Sequence, residues 1–156
     1  MIRRKEVRGG RRINPMMNTY RSHSVRETEE IAEQFAKTLH PGDVVAYTGD
    51  LGAGKTAFTR GMARGLGIAD EVASPTFALV HEYRGSVILY HFDMYRITDF
   101  DDLYSTGFFD YLDDPNGILA IEWSENIDGV LPPGTITVAF TVLGEEEREI
   151  KISREE

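Results

Sequence analysis

The stretch YTGDLGAGKTAF, residues 47–58, holds three glycines within six residues, followed by a lysine and a threonine. It matches the pattern G-x-x-x-x-G-K-[ST], in which Gly49 and Gly54 are the two glycines and Lys55 and Thr56 complete the motif. The buried-strand pattern DVVAYTG comes before it, and the helical pattern KTAFTRGMARGLG follows. Because the glycines lack side chains, backbone N–H groups can converge on phosphate oxygens at the start of a helix. The sequence therefore predicts a strand, a phosphate-binding loop and a helix.

The last two residues of the motif supply a charge and a hydroxyl group. In loops of this pattern the lysine reaches the β and γ phosphates of a nucleotide, and the threonine hydroxyl binds Mg²⁺. We therefore expect Lys55 and Thr56 to bind a nucleotide and its metal ion. The alternative is a glycine-rich turn that leaves Lys55 exposed.

Two predicted strands end in a carboxylate: VILYHFD ends at Asp93 and ILAIE ends at Glu122. Ligands of open α/β sheets bind outside the carboxyl ends of the strands, so we expect both acids near Lys55 and Thr56. Either acid could be the carboxylate ligand of the metal ion. His91 shares a strand face with Asp93, which suggests a hydrogen bond that orients this acid; a half-buried structural histidine explains the pattern equally well.

Helix and strand patterns continue along the rest of the chain. A short strand, TYRSH, precedes a capping box of Ser24 and Glu27, and the helix that follows is predicted to end at His40 before a Pro-Gly pair. Two antiparallel hairpins are predicted, FALVHEY with SVILYHFDMY, and residues 134–156 with a turn near Gly144. Between them lie a short acidic helix, DFDDLYSTG, and the apolar run GILAIEW, which is typical of a central strand covered on both faces.

Composition limits the class of protein. A chain of 156 residues suits one domain, and the absence of cysteine excludes disulfides and thiolate chemistry and is compatible with a reducing compartment. No apolar run approaches the roughly 18 to 20 residues that span a bilayer, and the first residues lack the apolar core of a signal peptide. We therefore expect a cytoplasmic protein that has no membrane segment.

The net charge of −9 is unevenly distributed. Residues 1–16 contain six basic residues and one acidic residue, a charge of +5, which leaves −14 on the other 140 residues. An acidic body repels the phosphate backbone, so we expect no tight direct binding of nucleic acid. The basic segment could be a nucleic-acid arm, but it is short and has no aromatic residue. We expect residues 1–16 to be a disordered extension and residues 17–156 to form a single domain.

Two further positions leave a functional and a structural interpretation open. In the motif SPTF, Pro75 holds Ser74 in an extended conformation, and Thr76 is either a nucleotide-sensing hydroxyl or the start of a strand. Trp123 follows the strand-end acid directly, and packing in the core explains it better than a role in the site.

Four motifs occur in the order GDLGAGKT, SPTF, YHFDMYR and IEW. From about Thr19 to Val142 the sequence resembles the TsaE family, also called YjeE, the small ATPases of bacterial tRNA threonylcarbamoyladenosine synthesis. The resemblance implies an α/β fold of the three-layer P-loop NTPase-like type, with a mixed parallel and antiparallel sheet. It also implies that ATP and Mg²⁺ are ligands and that the protein acts alongside TsaD-like and TsaB-like proteins.

The same resemblance implies roles for individual residues. Lys55, Asp93 and Glu122 are the expected catalytic residues, with Asp93 on the γ-phosphate side. Thr56 and Glu122 are the expected ligands of Mg²⁺. The expected nucleotide contacts are Ser24, Gly49, Gly52, Ala53, Gly54, Lys55, Thr56, Ala57 and Asp93.

Two alternative functions stay open at this stage. A small-metabolite or nucleoside kinase would share the loop and its lysine, but its lid should carry arginines, whereas the segment after Asp93 is acidic. A regulatory module that binds ATP without turnover would share the whole site. A GTPase is disfavoured, because the sequence contains no N-K-x-D motif.

We predict that residues 1–16 are dispensable for folding and nucleotide binding, because they carry no helical or strand periodicity. A truncated chain that begins at Met17 should keep the melting temperature and the ATP affinity of the full chain, as measured by thermal denaturation and calorimetry. A melting temperature lower by several degrees would contradict the prediction.

Overall fold

The computed structural model describes residues 6–8, 11–13, 16–49, 54–69, 71–72 and 79–154. These residues form nine strands and four α-helices, together with a 3-10 segment at Ser124–Val130. The strands are β1 (Glu6–Arg8), β2 (Arg11–Ile13), β3 (Met16–Ser22), β4 (Val44–Gly49), β5 (Val80–Arg84), β6 (Ile88–Asp93), β7 (Gly117–Glu122), β8 (Ile136–Val142) and β9 (Arg148–Arg154). The helices are α1 (Val25–Ala36), α2 (Lys55–Gly65), α3 (Phe100–Ser105) and α4 (Phe108–Leu112).

Seven strands form one mixed sheet in the order β3-β9-β8-β4-β7-β6-β5. The four inner strands β8, β4, β7 and β6 are parallel to one another, while antiparallel pairs extend the sheet at both edges. This arrangement confirms the predicted α/β fold with a mixed parallel and antiparallel sheet. Both predicted hairpins are present, as β5 with β6 and β8 with β9.

Helices cover both faces of the sheet. Alternate residues of β7 belong to two separate apolar clusters, because successive side chains of a strand point to opposite faces. α1 and α2 cover one face, where Phe58 is buried against Tyr47. α3, α4 and the 3-10 segment cover the other face, where Phe108 is buried against Phe92. Among the described residues, no helix is long and apolar enough to cross a bilayer.

Two predicted boundaries differ from the structure. α1 ends at Ala36 rather than at His40, because the chain turns there: the Thr38 hydroxyl donates to the carbonyl oxygen of Phe35, and the His40 N–H donates to the Asp43 carboxylate. β3 begins at residue 16 instead of residue 19, because its whole length pairs with β9. The Pro-Gly pair sets the last position that the helix could reach, whereas the helix ends four residues before His40.

Residues 1–16, for which the sequence predicts a disordered extension, include β1 and β2. These two strands pair antiparallel with each other and form a sheet separate from the seven-stranded one. Their pairing does not test whether residues 1–16 are needed for folding. Dispensability therefore stays a prediction.

The helices α1 and α2 approach each other closely at two glycines of α2. A Cβ atom added to Gly61 would overlap the carbonyl oxygen of Glu29 and lie 2.8 Å from the Cβ of Ala32. A Cβ atom added to Gly65 would overlap the next turn of α1 in the same way. Salt bridges flank the contact, with Arg60 Nη1 2.8 Å from the carboxylate of Glu29. This packing fixes the first turn of α1 beside the first turn of α2.

We predict that Gly61→Ala lowers the free energy of unfolding by about 1 to 3 kcal/mol, because the added methyl group must push the two helices apart. Urea denaturation measures the change. Gly129→Ala is the matched control, since a Cβ at Gly129 meets nothing within 4 Å and should change stability by less than about 0.5 kcal/mol. Equal stability of the two variants would contradict the close packing of the helices.

Candidate functional site

The two glycines that bound the predicted phosphate-binding loop have backbone conformations that other residues rarely adopt. Gly49, the last residue of β4, has a φ of 117°, and an added Cβ would overlap the backbone of Phe140. Gly54, which caps the start of α2, has a φ of 101°. Both angles lie in the region that favours glycine. Residues 50–53, which include the predicted contacts Gly52 and Ala53, lie outside the described residues.

The lysine and threonine of the motif occupy the first turn of α2. Lys55 is its first residue, and its Nζ donates to the carbonyl oxygen of Gly49 at 3.0 Å. The side chain of Lys55 therefore links the start of α2 to the end of β4. Thr56 is half-buried, and Ala57 is buried. All three residues thus lie where the sequence predicts them, at the end of a strand and the N-terminus of a helix.

Polar contacts connect the N-terminal part of α2 to β4. The hydroxyl of Thr59 donates to the carbonyl oxygen of Lys55 at 2.9 Å and lies 2.6 Å from the hydroxyl of Tyr47. Tyr47 is fully buried, and burial raises its pKa far above the usual range for tyrosine. Its hydroxyl consequently stays protonated and acts as a structural hydrogen-bonding group.

The two strand-end acids lie opposite each other. Asp93 and Glu122 are the last residues of β6 and β7, and they are paired directly in this parallel ladder. β7 also pairs with β4, which ends in Gly49, so the acids and the start of the loop share one edge of the sheet. The structure thus brings together the elements that the sequence predicted to meet.

The environment of Asp93 differs from that of an exposed carboxylate. Burial raises its pKa, and the negative charge of Glu122 raises the pKa further. The hydrogen bond that the Tyr95 N–H donates to Asp93 Oδ1 at 2.9 Å acts in the opposite direction and lowers the pKa. This bond fixes one carboxylate oxygen. The raised pKa makes Asp93 a better proton acceptor than a surface aspartate.

His91 contacts a different acid from the one predicted. Its Nε2 lies 2.7 Å from Oε2 of Glu122, so the expected hydrogen bond to Asp93 is wrong. The ring is completely buried and packs against Tyr47, with 6.3 Å between ring centroids. Its Nδ1 is buried and has no hydrogen-bond partner among the described residues. The sequence alone could not identify Glu122 as the partner, because that pairing depends on which strand lies beside β6.

The backbone turns sharply directly after Glu122. Trp123 has a φ of 60° and is the one described residue other than glycine with a positive φ. Its ring lies 5.0 Å from that of Tyr95, measured between centroids. The next residue, Ser124, donates its hydroxyl to the carbonyl oxygen of Tyr47 at 3.0 Å. These contacts hold the carboxyl end of β7 in a conformation that a bulky residue seldom adopts.

The first turn of α1 lies close to the start of α2. Thr28 approaches Gly54, since a Cβ at that glycine would lie 3.7 Å from its methyl group. Ser24 is the N-cap of α1, and its hydroxyl accepts from the N–H of Glu27 at 3.0 Å. The capping box is shifted by one residue, because the Glu27 carboxylate accepts from the N–H of His23. The nucleotide contact expected of Ser24 stays a prediction.

The chemistry of the donor set fits Mg²⁺ better than a metal enclosed by protein ligands. The described residues contain no group of three or more His, Asp or Glu side chains that could hold a metal ion. Mg²⁺ commonly takes one or two carboxylates together with substrate phosphates and water. Glu122 is partly exposed at the carboxyl end of β7, and Thr56 offers a hydroxyl in the first turn of α2, so the chemistry of these two residues fits such a partial set.

A family profile described as "Threonylcarbamoyl adenosine biosynthesis protein TsaE" matches residues 22–150. The chain belongs to the TsaE family. It is 38% identical to the TsaE protein of Treponema pallidum over 132 residues, which cover 85% of this chain and 97% of that protein. It is 41% identical to TsaE of Bacillus subtilis over 132 residues, which cover 84% of this chain and 82% of that protein. The family assignment made from the four motifs is therefore confirmed.

The fold agrees with this assignment. A crystal structure of YdiB from Bacillus subtilis superimposes on the chain with a TM-score of 0.77 and 35% sequence identity, covering 92% of this chain and 88% of that one. The TsaE family is named for the synthesis of threonylcarbamoyladenosine in tRNA. Membership therefore connects this chain to that modification.

We predict that His91→Asn lowers the free energy of unfolding of this TsaE protein by about 2 to 4 kcal/mol, because it leaves a cavity and removes the hydrogen bond to Glu122. Denaturant titration measures the loss. The matched control is His81→Asn, since His81 lies directly opposite His91 on β5 but is only half-buried. Equal losses in the two variants would contradict a structural role of the His91–Glu122 contact.

Proposed function

We propose that this TsaE protein binds and hydrolyses ATP with Mg²⁺ and supports the threonylcarbamoyladenosine modification of tRNA through nucleotide-dependent interaction with TsaD-like and TsaB-like proteins. One observation carries the proposal: Lys55 at the loop and the paired acids Asp93 and Glu122 share one edge of the sheet. A positive charge at a helix N-terminus suits a phosphate chain, and neighbouring carboxylates suit its metal ion.

Each residue at this edge has a proposed task. The proposed backbone contacts of the phosphates are Gly49, Gly52, Ala53, Gly54 and Ala57. Backbone without large side chains leaves room for the close approach of oxygen atoms. The ammonium of Lys55 exchanges the Gly49 carbonyl oxygen for phosphate oxygens.

Thr56 and Glu122 are the proposed protein ligands of Mg²⁺. When bound, the ion neutralises charge that develops on the β and γ phosphates. The contact with His91 holds Glu122 in one orientation, since a carboxylate that accepts a hydrogen bond from a buried ring has fewer rotamers available. Removing the Glu122 carboxylate should therefore mainly weaken the binding of nucleotide that depends on Mg²⁺.

Asp93 is the proposed acceptor for the attacking water. One of its oxygens accepts from the Tyr95 N–H, and the other forms no hydrogen bond with the described residues, so it can orient a water molecule at the γ-phosphate side. Its raised pKa favours partial proton transfer from that water. Asp93 and Glu122 thus differ in their tasks although they are neighbours in the sheet.

Among the described residues, the site has no second buried positive charge for the transferring phosphoryl group. Arginines that complete such sites accelerate hydrolysis by about 10³ to 10⁵. Arg96 follows Asp93 by three residues, but it is exposed. We propose that a partner protein completes the site in the cytoplasm. Because the body of the chain is acidic, the link to tRNA runs through protein contacts.

We predict slow ATP turnover by the isolated protein and a stimulation of at least about tenfold by the purified TsaB-like and TsaD-like proteins of the same organism, because their contact supplies the missing charge. Steady-state phosphate release measures both rates. A basal rate typical of metabolic kinases, roughly 10 per second, that the pair leaves unchanged would contradict the proposal. Transfer of labelled γ-phosphate to a small acceptor would favour a kinase instead.

We predict that Lys55→Ala abolishes turnover, whereas Thr56→Ala and Glu122→Ala raise the Mg²⁺ concentration needed for half-maximal rate. Glu125→Ala is the matched control, because Glu125 is an exposed acid three residues beyond Glu122. Unchanged Mg²⁺ dependence in the Glu122 variant would assign the carboxylate ligand to Asp93 instead.

A further inference from the structure

Three aromatic side chains of α3 and α4 form a continuous surface, which we call the aromatic face: Phe100, Tyr104 and Phe109. Phe100 and Tyr104 are one helical turn apart, and they are 58% and 68% exposed. Their ring centroids are 6.2 Å apart, and Phe109 lies 5.8 Å from one ring and 6.5 Å from the other. Contiguous exposed aromatic side chains commonly mark an interaction surface.

Two of the three rings, Phe100 and Tyr104, are not needed to attach these helices to the sheet, whereas Phe109 is partly buried and packs against the apolar cluster. Leu103 of α3 and Phe108 of α4 are buried and belong to the apolar cluster on this face of the sheet. They provide the attachment, while Phe100 and Tyr104 point away from it on the solvent side. The helices therefore expose two aromatic rings that their own packing does not require.

Negative charge surrounds the aromatic face. Residues 97–116 contain six aspartates and no lysine or arginine. Asp99 and Asp102 serve the helix itself, since Asp99 accepts from the Asp102 N–H and Asp102 accepts from Thr98. Asp101 and Asp110 are exposed, and their carboxylates form no ion pair or hydrogen bond with any residue that the structure describes. Their charges remain available to an incoming group.

The segment that carries the aromatic face also contacts the candidate site. α3 begins seven residues after Asp93, and the intervening Tyr95 donates its N–H to that acid. The ring of Tyr95 packs against Trp123, which follows Glu122. The side-chain amide of Asn126, in the 3-10 segment, donates to the Met94 carbonyl oxygen at 2.8 Å. The segment between β6 and α3 thus contacts residues at the carboxyl ends of both β6 and β7. A protein bound to α3 would lie next to this segment.

We propose that the aromatic face is the docking surface for the partner protein of the proposed function, on which this inference rests. The occupant is a protein surface with an apolar depression flanked by lysine or arginine side chains, because such a surface complements exposed rings beside Asp101 and Asp110. A second copy of this chain would bring like charges together, since each copy carries the same aspartates. Nucleic acid would meet the same repulsion.

The test measures binding of the purified TsaB-like and TsaD-like pair by calorimetry, with the full chain in the presence of Mg²⁺ and a non-hydrolysable ATP analogue. Phe100→Ala with Tyr104→Ala should weaken binding by about 10- to 100-fold, as expected when aromatic anchors are removed. Asp101→Lys with Asp110→Lys should weaken it by at least about fivefold and reduce its dependence on salt.

Matched controls come from the opposite face of the sheet. Tyr20 is an exposed aromatic residue of the edge strand β3, and Glu30 is an exposed acid of α1. Tyr20→Ala and Glu30→Lys should leave the affinity for the pair within about twofold, as expected for positions outside an interface. All variants should keep the melting temperature and the affinity for ATP of the unchanged chain, because the substituted side chains are exposed and outside the candidate site.

The outcomes separate this inference from the proposed function. If the unchanged chain binds the pair and both sets of aromatic-face variants bind equally well, the docking surface is wrong and the proposed function stands. If the unchanged chain does not bind the pair, the proposed partner and this docking surface both fail. Loss of self-association or of tRNA binding in the aromatic variant, with binding of the pair intact, would also overturn the proposal.

Discussion

The parallel pairing of β7 with both β4 and β6 is the interaction on which the candidate site depends. It aligns the carboxyl ends of three strands, so that Gly49, Glu122 and Asp93 lie at one edge of the sheet. Each strand alone would supply only one of these three residues to the site. The register matters as well, because a slip of one residue would turn the side chain of the acid to the opposite face. The apolar clusters on both faces hold this register.

Around this edge the chain uses buried polar contacts to fix groups that would otherwise be mobile. Glu122 is held by His91, the turn after it is held by Ser124, and the start of α2 is held by Thr59. Desolvated groups of this kind are costly unless they are bonded, so the contacts specify one arrangement. The same desolvation raises the pKa of Asp93. The two neighbouring acids thus have different hydrogen-bond partners, the ring of His91 for Glu122 and the N–H of Tyr95 for Asp93.

The sequence predicts those parts of the site that depend on neighbours along the chain. The glycine loop, the helix that begins at Lys55 and the two strands that end in acids each have a local signal, because period and turn chemistry act over a few residues. The contact between His91 and Glu122 joins residues 31 positions apart, and that between Ser124 and Tyr47 joins residues 77 apart. Local patterns carry no information about which strands are neighbours, so these contacts had to come from the structure.

We propose that one edge of the sheet binds ATP together with Mg²⁺. Isothermal titration of the full chain with ATP, with and without Mg²⁺ and in parallel with GTP, measures this binding. We expect saturable binding of one ATP per chain that strengthens when Mg²⁺ is present and is weaker for GTP. Absence of ATP binding, or binding that does not respond to Mg²⁺, would contradict the account, and equal affinity for GTP would refute the adenine nucleotide.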